Sequence, residues 1–174
     1  MVEEKLVERW IAPTWGYLQG SSVLVALSGG RDSIALADLL LLAEKRLQLQ
    51  ALEFVHIDHA LRPQSAEEAL CVARWMELRG KKVQITRLNG EEANSSGEGV
   101  EGWARRERYR ALEVWRERLK CDWIVTAHHR NDQAETVLLR LARGCGLSGL
   151  VGIKKVDRQR HLLDENQRLG QELI

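Results

Sequence analysis

Ser22-Val-Leu-Val-Ala-Leu27, followed directly by Ser28-Gly-Gly-Arg-Asp-Ser33, is the segment from which the architecture of the chain can be worked out. Residues 22–27 are mostly apolar and partly β-branched, as is typical of a buried strand. The two glycines that follow allow a tight turn, and from about Ser33 to Arg46 the apolar residues recur with helical spacing. This segment therefore predicts a strand, a glycine turn and a helix.

The same alternation of strand and helix continues along the chain. Patterns predict strands near residues 50–57, 82–87 and 122–127, and helices near 65–79, from 99 over about 20 residues, and from 131 to 144. The helix near 65 is expected to begin with a capping box formed by Ser65 and Glu68. A polar loop is predicted for residues 89–99. Apolar strands that alternate with helices predict an α/β fold, with a parallel sheet flanked by helices on both faces.

The composition is typical of an ordinary globular domain. Of the 174 residues, 44% are hydrophobic and 29% are charged, which argues against disordered, fibrous and coiled-coil proteins. No apolar stretch approaches the roughly 20 residues that a membrane span needs, and the first ten residues lack the apolar core of a signal peptide. The three cysteines form no Cys-X-X-Cys pair, so neither a zinc ribbon nor a disulfide framework is indicated. We therefore expect a cytoplasmic protein with no membrane partner.

Polar residues follow three of the predicted strands. Ser28–Ser33 come after the first strand, His56 and His59 lie at the end of the second, and His128 and His129 follow the fourth. In an open parallel sheet, ligands bind outside the carboxyl ends of the strands. These residues are therefore expected to meet in one crevice.

The glycine turn has the features of a phosphate-binding loop. Gly29 and Gly30 let the backbone present its N–H groups, and Ser28 and Ser33 add hydroxyl donors at the N-terminus of a helix. Asp32 would need a cation beside a phosphate, which implies magnesium. The Walker pattern is absent, so phosphate chemistry that depends on its lysine is not indicated. A plain turn between strand and helix is the alternative.

Charged residues further along the chain are candidates for contacts with other substrate groups. Asp132 and Glu135 are three residues apart and share one face of the predicted helix, which suits a cationic group, although capping of that helix would explain them as well. Arg105, in the arginine-rich helix, could neutralise a phosphate, and a surface salt bridge is the alternative. The histidines after the strands fit hydrogen bonds to a substrate or to backbone carbonyls better than a zinc site.

Two further patterns lie at the end of the predicted helix 131–144. Gly144–Gly149 satisfies G-x-G-x-x-G, but a dinucleotide-binding loop follows a strand and this one follows a helix, so a turn is favoured. Cys145 has no base placed near it by the sequence, so an inert thiol is favoured over a nucleophile.

Taken together, five segments resemble the tRNA(Ile)-lysidine synthetase family. They are SGGRDS (28–33), HIDHALRPQSAEEA (56–69), ARRERYRAL (104–112), TAHHRNDQAET (126–136) and RGCGLSGLVGI (143–153). The first alone is similar to the broader PP-loop ATP pyrophosphatases, whereas the other four narrow the resemblance. It covers about residues 20 to 153.

The resemblance implies a PP-loop, adenine nucleotide α-hydrolase-like and Rossmann-like fold, with residues 1–153 as the ATP-binding catalytic domain. Residues 154–174 would be a linker or the start of a further C-terminal segment. The implied substrates are ATP with Mg²⁺, free L-lysine, and the tRNA(Ile) that carries a CAU anticodon. In the implied reaction the 2-oxo group of the wobble cytidine attacks the α-phosphate of ATP and pyrophosphate leaves. The ε-amine of lysine then displaces AMP to give lysidine.

The resemblance also implies a role for each candidate residue. The catalytic residues would be Asp32, Arg105 and His129; Arg105 would support the ATP phosphates and His129 would accept a proton from lysine. Asp132 and Glu135 would hold the lysine, and Asp32 would bind Mg²⁺. ATP would be bound by Ser28, Gly29, Gly30, Arg31, Asp32, Ser33, His56 and His59.

Two other functions stay open. A PP-loop tRNA sulfurtransferase would activate a base in the same way but deliver sulfur, for which it would need paired cysteines or a cluster. A truncated, non-catalytic ATP-binding module would bind nucleotide and signal to a partner. A homodimer is left open as the state of assembly.

Overall fold

The computed structural model describes residues 15–94 and 99–127, which form a sheet with helices on both faces. The strands are β1 (Ser22–Leu27), β2 (Ala51–Asp58), β3 (Gln84–Arg87) and β4 (Trp123–Thr126). The helices are α1 (Arg31–Ala43), α2 (Ser65–Glu77) and α3 (Gly99–Arg118), and short 3-10 helices cover Gly16–Leu18 and Gly90–Asn94. None of the helices within these residues combines the length and the hydrophobicity that a membrane span requires.

The sheet has the order β3-β2-β1-β4, and every pair of neighbouring strands is parallel. The chain runs from β1 outward to β2 and β3, and then returns to the other side of β1 to form β4. The direction of strand addition therefore reverses at β1. Such a reversal leaves a crevice at the carboxyl ends of the strands, where ligands bind in open α/β sheets.

Alternate residues of β1 point to two different apolar layers. Val23, Val25 and Leu27 belong to a buried cluster that also contains residues of α1 and α2. Leu24, which has the opposite orientation, belongs to a second cluster with Leu112 of α3. Because β1 is apolar on both faces, it can only be stable as an inner strand covered on both sides. The predicted α/β fold is thus confirmed.

The predicted capping box at the start of α2 is wrong. The residue before the helix is Gln64, whose side chain makes no capping hydrogen bond, and Ser65 already belongs to the helix. A capping residue usually has an extended backbone. Gln64, which occupies the capping position, instead has helical φ and ψ angles, and the N–H of Ser65 donates to the carbonyl of Arg62. A turn thus leads directly into α2 and carries Ser65 past the capping position.

The other boundaries differ little from the prediction. α1 begins two residues earlier than expected, at Arg31, and β3 is shorter, because it begins at Gln84. The predicted polar loop 89–99 contains the 3-10 helix Gly90–Asn94. The predicted helix 131–144 and the domain boundary after residue 153 lie outside the described residues.

Candidate functional site

The loop Ser28–Ser33, here called the glycine loop, joins the inner strand β1 to α1. Gly29 has a φ of +80°, a left-handed conformation that side chains with a Cβ rarely adopt. A Cβ at this position would also lie 3.3 Å from Cγ2 of Val72, which belongs to α2. The loop therefore turns where the sequence predicts it, close against a neighbouring helix.

The two serine hydroxyls of the glycine loop bond to the loop itself. The Ser33 hydroxyl donates to the carbonyl of Gly30 at 2.8 Å, and it accepts from the Ser28 hydroxyl at 3.0 Å and from the Ser28 N–H at 3.2 Å. Oγ of Ser28 in turn accepts from the N–H of Gly30 at 3.3 Å. Both hydroxyl protons are thus used to shape the loop.

The N-terminus of α1 opens directly from the glycine loop. Gly30 precedes the helix with an extended backbone and without a side-chain cap, and the N–H of Ile34 donates back to its carbonyl. The N–H groups of the first helical residues have no acceptor within a helix and carry its positive dipole end. Arg31 and Asp32 are exposed here, whereas Ser33 is buried. The arrangement can bind an anion through backbone N–H groups.

The end of β2 is built differently, from buried polar side chains. Nδ1 of His56 lies 2.8 Å from the carbonyl oxygen of Leu27, the residue before the glycine loop. Asp58 is only 4% exposed; its Oδ1 accepts from the N–H of Ala60 at 2.8 Å, and Oδ2 lies 3.7 Å from Nε of Arg87. Ala60 has a φ of +53°, which this side-chain bond supports.

A glycine closes the turn Asp58–Ala60, here called the β2 turn. A Cβ on Gly90 would lie 2.6 Å from the carbonyl oxygen of Ala60 and 3.1 Å from that of His59. No side chain could occupy that space, so the backbone of the 3-10 helix packs directly on the β2 turn. The dipeptide Asn89-Gly90 is a known signal for a turn, but this role of Gly90 was not predicted from the sequence.

His59 is half-buried beside charged groups. Its pKa is lowered, first by burial and then by the positive charge of Arg108, while Asp58 acts in the opposite direction. Nδ1 of His59 is buried and has no hydrogen-bond partner in the described part of the chain. The neutral imidazole is therefore favoured here. The helix α3, which carries Arg108, packs against β2 and the 3-10 helix Gly90–Asn94.

The arginines of α3 have different partners. Arg105 is exposed, with its guanidinium 5.6 Å from the centre of the Tyr109 ring, and the Arg108 guanidinium lies 5.4 Å from the same ring. Arg106 instead pairs with Glu107 at 3.0 Å, and Arg110 lies 3.8 Å from Glu107. Arg106 and Arg110 thus form ion pairs along α3, whereas the guanidinium of Arg105 lies beside an aromatic ring.

The structure brings together the motifs that follow β1 and β2, because His56 contacts the residue that leads into the glycine loop. His128, His129, Asp132 and Glu135 lie outside the described residues, as do Cys145 and the Gly144–Gly149 turn. Within the described ranges no group of three His, Cys, Asp or Glu residues could hold a metal ion.

Residues 3–166 match the PP-loop domain family. The chain belongs to this family of ATP-using domains. Among curated proteins it is similar to the tRNA(Ile)-lysidine synthase of Azoarcus sp. (strain BH72), with 40% identity over 143 residues, 82% of this chain and 30% of that protein. It is also similar to the tRNA(Ile)-lysidine synthase of Zymomonas mobilis, with 42% identity over 130 residues, 75% of this chain and 37% of that protein.

A solved structure shares the fold. The U34-tRNA thiolase NcsA from Methanococcus maripaludis, determined with its 4Fe-4S cluster, matches with a TM-score of 0.63. The match covers 83% of this chain and 52% of that chain, at 21% sequence identity. At this identity the likeness concerns the fold alone, and the curated relatives carry the functional comparison. This chain spans about a third of the length of the first curated relatives that it matches.

Proposed function

We propose that this chain is the ATP-dependent catalytic part of a tRNA(Ile)-lysidine synthetase. The observation that carries the proposal is the glycine loop, which leads from the inner strand β1 into the N-terminus of α1. The chain is similar in sequence to several such enzymes. The reaction joins free lysine to the wobble cytidine of the tRNA(Ile) with a CAU anticodon, and ATP is converted to AMP and pyrophosphate. The cytoplasm is the compartment that we propose for it.

The glycine loop would bind the pyrophosphate part of ATP. The N–H groups of Arg31, Asp32 and Ser33 lie at the positive end of α1, where a phosphate is stabilised both by hydrogen bonds and by the helix dipole. Ser28 and Ser33 hold the loop in the shape that aims these donors. In this arrangement the backbone N–H groups would contact the phosphate, and the serine hydroxyls stabilise the shape of the loop.

Magnesium is part of the proposal. Mg²⁺ prefers oxygen ligands and is commonly held by one or two carboxylates together with substrate phosphates and water. Asp32 fits this requirement because it is an exposed carboxylate in the first turn of α1, beside the proposed phosphate position. When bound, the ion would offset the negative charge that develops on the leaving pyrophosphate.

The remaining roles follow the family resemblance. Arg105, exposed on α3, would support the ATP phosphates, and Asp132 and Glu135 would hold the ammonium group of lysine. Because the ε-amine has an ordinary pKa of about 10.4, it must lose a proton before it can attack. His129 is the proposed proton acceptor.

Incorporation of labelled lysine into tRNA tests the proposal. The full 174-residue chain is supplied with ATP, Mg²⁺, labelled lysine and tRNA(Ile) with a CAU anticodon, and the label that enters the tRNA is measured. We expect incorporation that depends on both ATP and this tRNA. Bound ATP without any lysine entering the tRNA would contradict the proposal and favour a non-catalytic module.

A pair of variants extends this test to the site. Asp32→Asn should reduce lysine incorporation by at least about a hundredfold, because it removes the proposed magnesium ligand. Glu67→Gln is the matched control, since Glu67 is also exposed in the first turn of a helix, α2, and its loss affects a helix dipole in the same way. Equal losses in the two variants would contradict the role of Asp32.

A further inference from the structure

The peptide unit between Leu27 and Ser28 is held by side chains at both of its polar groups. Its carbonyl oxygen, on Leu27, lies 2.8 Å from Nδ1 of His56. Its N–H group, on Ser28, donates to Oγ of Ser33 at 3.2 Å. This peptide is the point at which β1 ends and the glycine loop begins.

The two side chains come from different elements and are both buried. His56 belongs to β2 and is 5% exposed, and Ser33 belongs to α1 and is 2% exposed. A carbonyl oxygen can only accept a hydrogen bond, so Nδ1 of His56 carries the proton in this contact.

These two bonds fix the orientation of the peptide plane. In a trans peptide the carbonyl and N–H groups point in opposite directions, so partners on both edges oppose rotation of the plane. The next two residues are Gly29 and Gly30, which have little conformational preference of their own. Without a fixed plane before them, the loop would have to be ordered when a ligand binds, at a cost in binding free energy.

We propose that His56 and Ser33 are positioning residues that lock the Leu27–Ser28 peptide and so hold the glycine loop ready for phosphate. The inference deepens the proposed function, because it rests on the glycine loop as the ATP site. It changes the role of His56 from a residue that contacts ATP to one that acts through the backbone. A residue of the segment that begins at His56 thus positions the glycine loop.

Two variants of His56 test the lock. Asn places an amide donor at about the position of Nδ1, whereas Gln places its donor at about the position of Nε2, so His56→Asn can restore the bond to Leu27 and His56→Gln cannot. Both variants keep a buried amide, and exchange of the other buried amides of β1 reports any difference in global stability between them. The amide exchange rate of Ser28 is measured in the full chain by NMR.

We expect exchange of the Ser28 amide to be about tenfold faster in His56→Gln than in the wild type, and close to the wild-type rate in His56→Asn. The ATP dissociation constant should follow the same order, with about a tenfold increase confined to His56→Gln. Equal exchange rates or equal ATP affinities in the two variants would overturn the proposal.

A double-mutant cycle examines the partnership with Ser33. If His56 and Ser33 hold one peptide, the effects of His56→Gln and Ser33→Ala on Ser28 exchange must be non-additive, because either change alone frees the plane. Additive effects would overturn the shared lock. Amide exchange needs no nucleotide, so it tests whether His56 and Ser33 hold the Leu27–Ser28 peptide even if the chain makes no lysidine. The lysine assay tests the proposed function separately.

Discussion

The carboxyl ends of β1 and β2 are neighbours in the sheet, yet they are built in opposite ways. After β1 the chain turns on Gly29, leaves Arg31 and Asp32 exposed, and presents the uncapped N-terminus of α1. After β2 the buried carboxylate of Asp58 bonds to the turn, and the backbone at Gly90 covers it. One end is open to a ligand and the other is closed by the protein itself.

The difference shows that a polar residue at a strand end is not by itself a ligand contact. His56 and Asp58 are both buried, and their described partners are the backbone groups of Leu27 and Ala60 together with the guanidinium of Arg87. They stabilise the framework on which the glycine loop rests. Changes in the β2 turn should therefore act mainly on stability, and changes that alter the glycine loop mainly on ATP binding.

Gly90→Ala should give the largest loss of stability. The added Cβ would lie 2.6 Å from a backbone oxygen that cannot easily move, so we expect a loss of about 3 kcal/mol in the free energy of unfolding. Gly30→Ala is the control from the open end, where the added Cβ would lie 3.4 Å from Oγ of Ser28 and φ is −73°. It should cost less than about 1 kcal/mol. Urea denaturation measures the free energy of unfolding of both variants. Equal losses would contradict the difference between the two strand ends.

Asp58→Ala should have the next largest effect. It leaves the N–H of Ala60, whose φ is positive, without the acceptor that the buried carboxylate provides, so we expect a loss of about 2 kcal/mol. Asp58→Asn keeps an acceptor oxygen and should lose less. Urea denaturation distinguishes the two variants, and equal stability of Asp58→Ala and the wild type would refute the role of Asp58 in the β2 turn.

His59 should make stability depend on pH. Because burial and Arg108 lower its pKa in the folded state below the ordinary 6.5, the unfolded chain binds a proton more readily. The contribution of His59 is therefore present above pH 6.5 and is lost as the pH falls below that value. We expect thermal stability to fall less steeply between pH 7 and 5 in His59→Asn than in the wild type. Parallel pH profiles would contradict this.

Arg62→Gln should have the smallest effect. Arg62 pairs with Glu68 at 3.1 Å just beyond the β2 turn, but both side chains are largely exposed. Such surface pairs contribute little, so the change in the free energy of unfolding should stay within about 0.5 kcal/mol. A loss above about 1 kcal/mol would mean that the tightly packed structure of the β2 turn extends along the chain to Arg62.

The sequence predicts the parallel sheet and the glycine turn well, because both depend on local patterns. The apolar run 22–27 and the glycines after it have one ready structural explanation, a buried strand and a tight turn. The capping box at Ser65 fails because a turn from Arg62 runs directly into α2, and that turn depends on tertiary structure. The packing of Gly90 on Ala60 also joins residues far apart in the chain. No local pattern specifies such a contact.

The site is predictable in the same uneven way. The spacing SGGRDS indicates phosphate binding, but nothing in it says that the hydroxyl of Ser33 bonds inward to the loop. The place of His56 at a strand end predicts a hydrogen bond to a substrate or to a backbone carbonyl, and the family resemblance implies a contact with ATP. Its bond to Leu27 becomes visible only once the register places Leu27 opposite His56 in the sheet.

The most direct test of the glycine loop as an adenylation site follows the α-phosphate of ATP. The chain is mixed with Mg²⁺, tRNA(Ile) with a CAU anticodon, and ATP labelled at the α-phosphate, first without lysine and then with it. We expect label to accumulate on the tRNA when lysine is absent and to leave as AMP when lysine is added. If the tRNA never carries the label while ATP is bound, the glycine loop does not support adenylation and the central claim is contradicted.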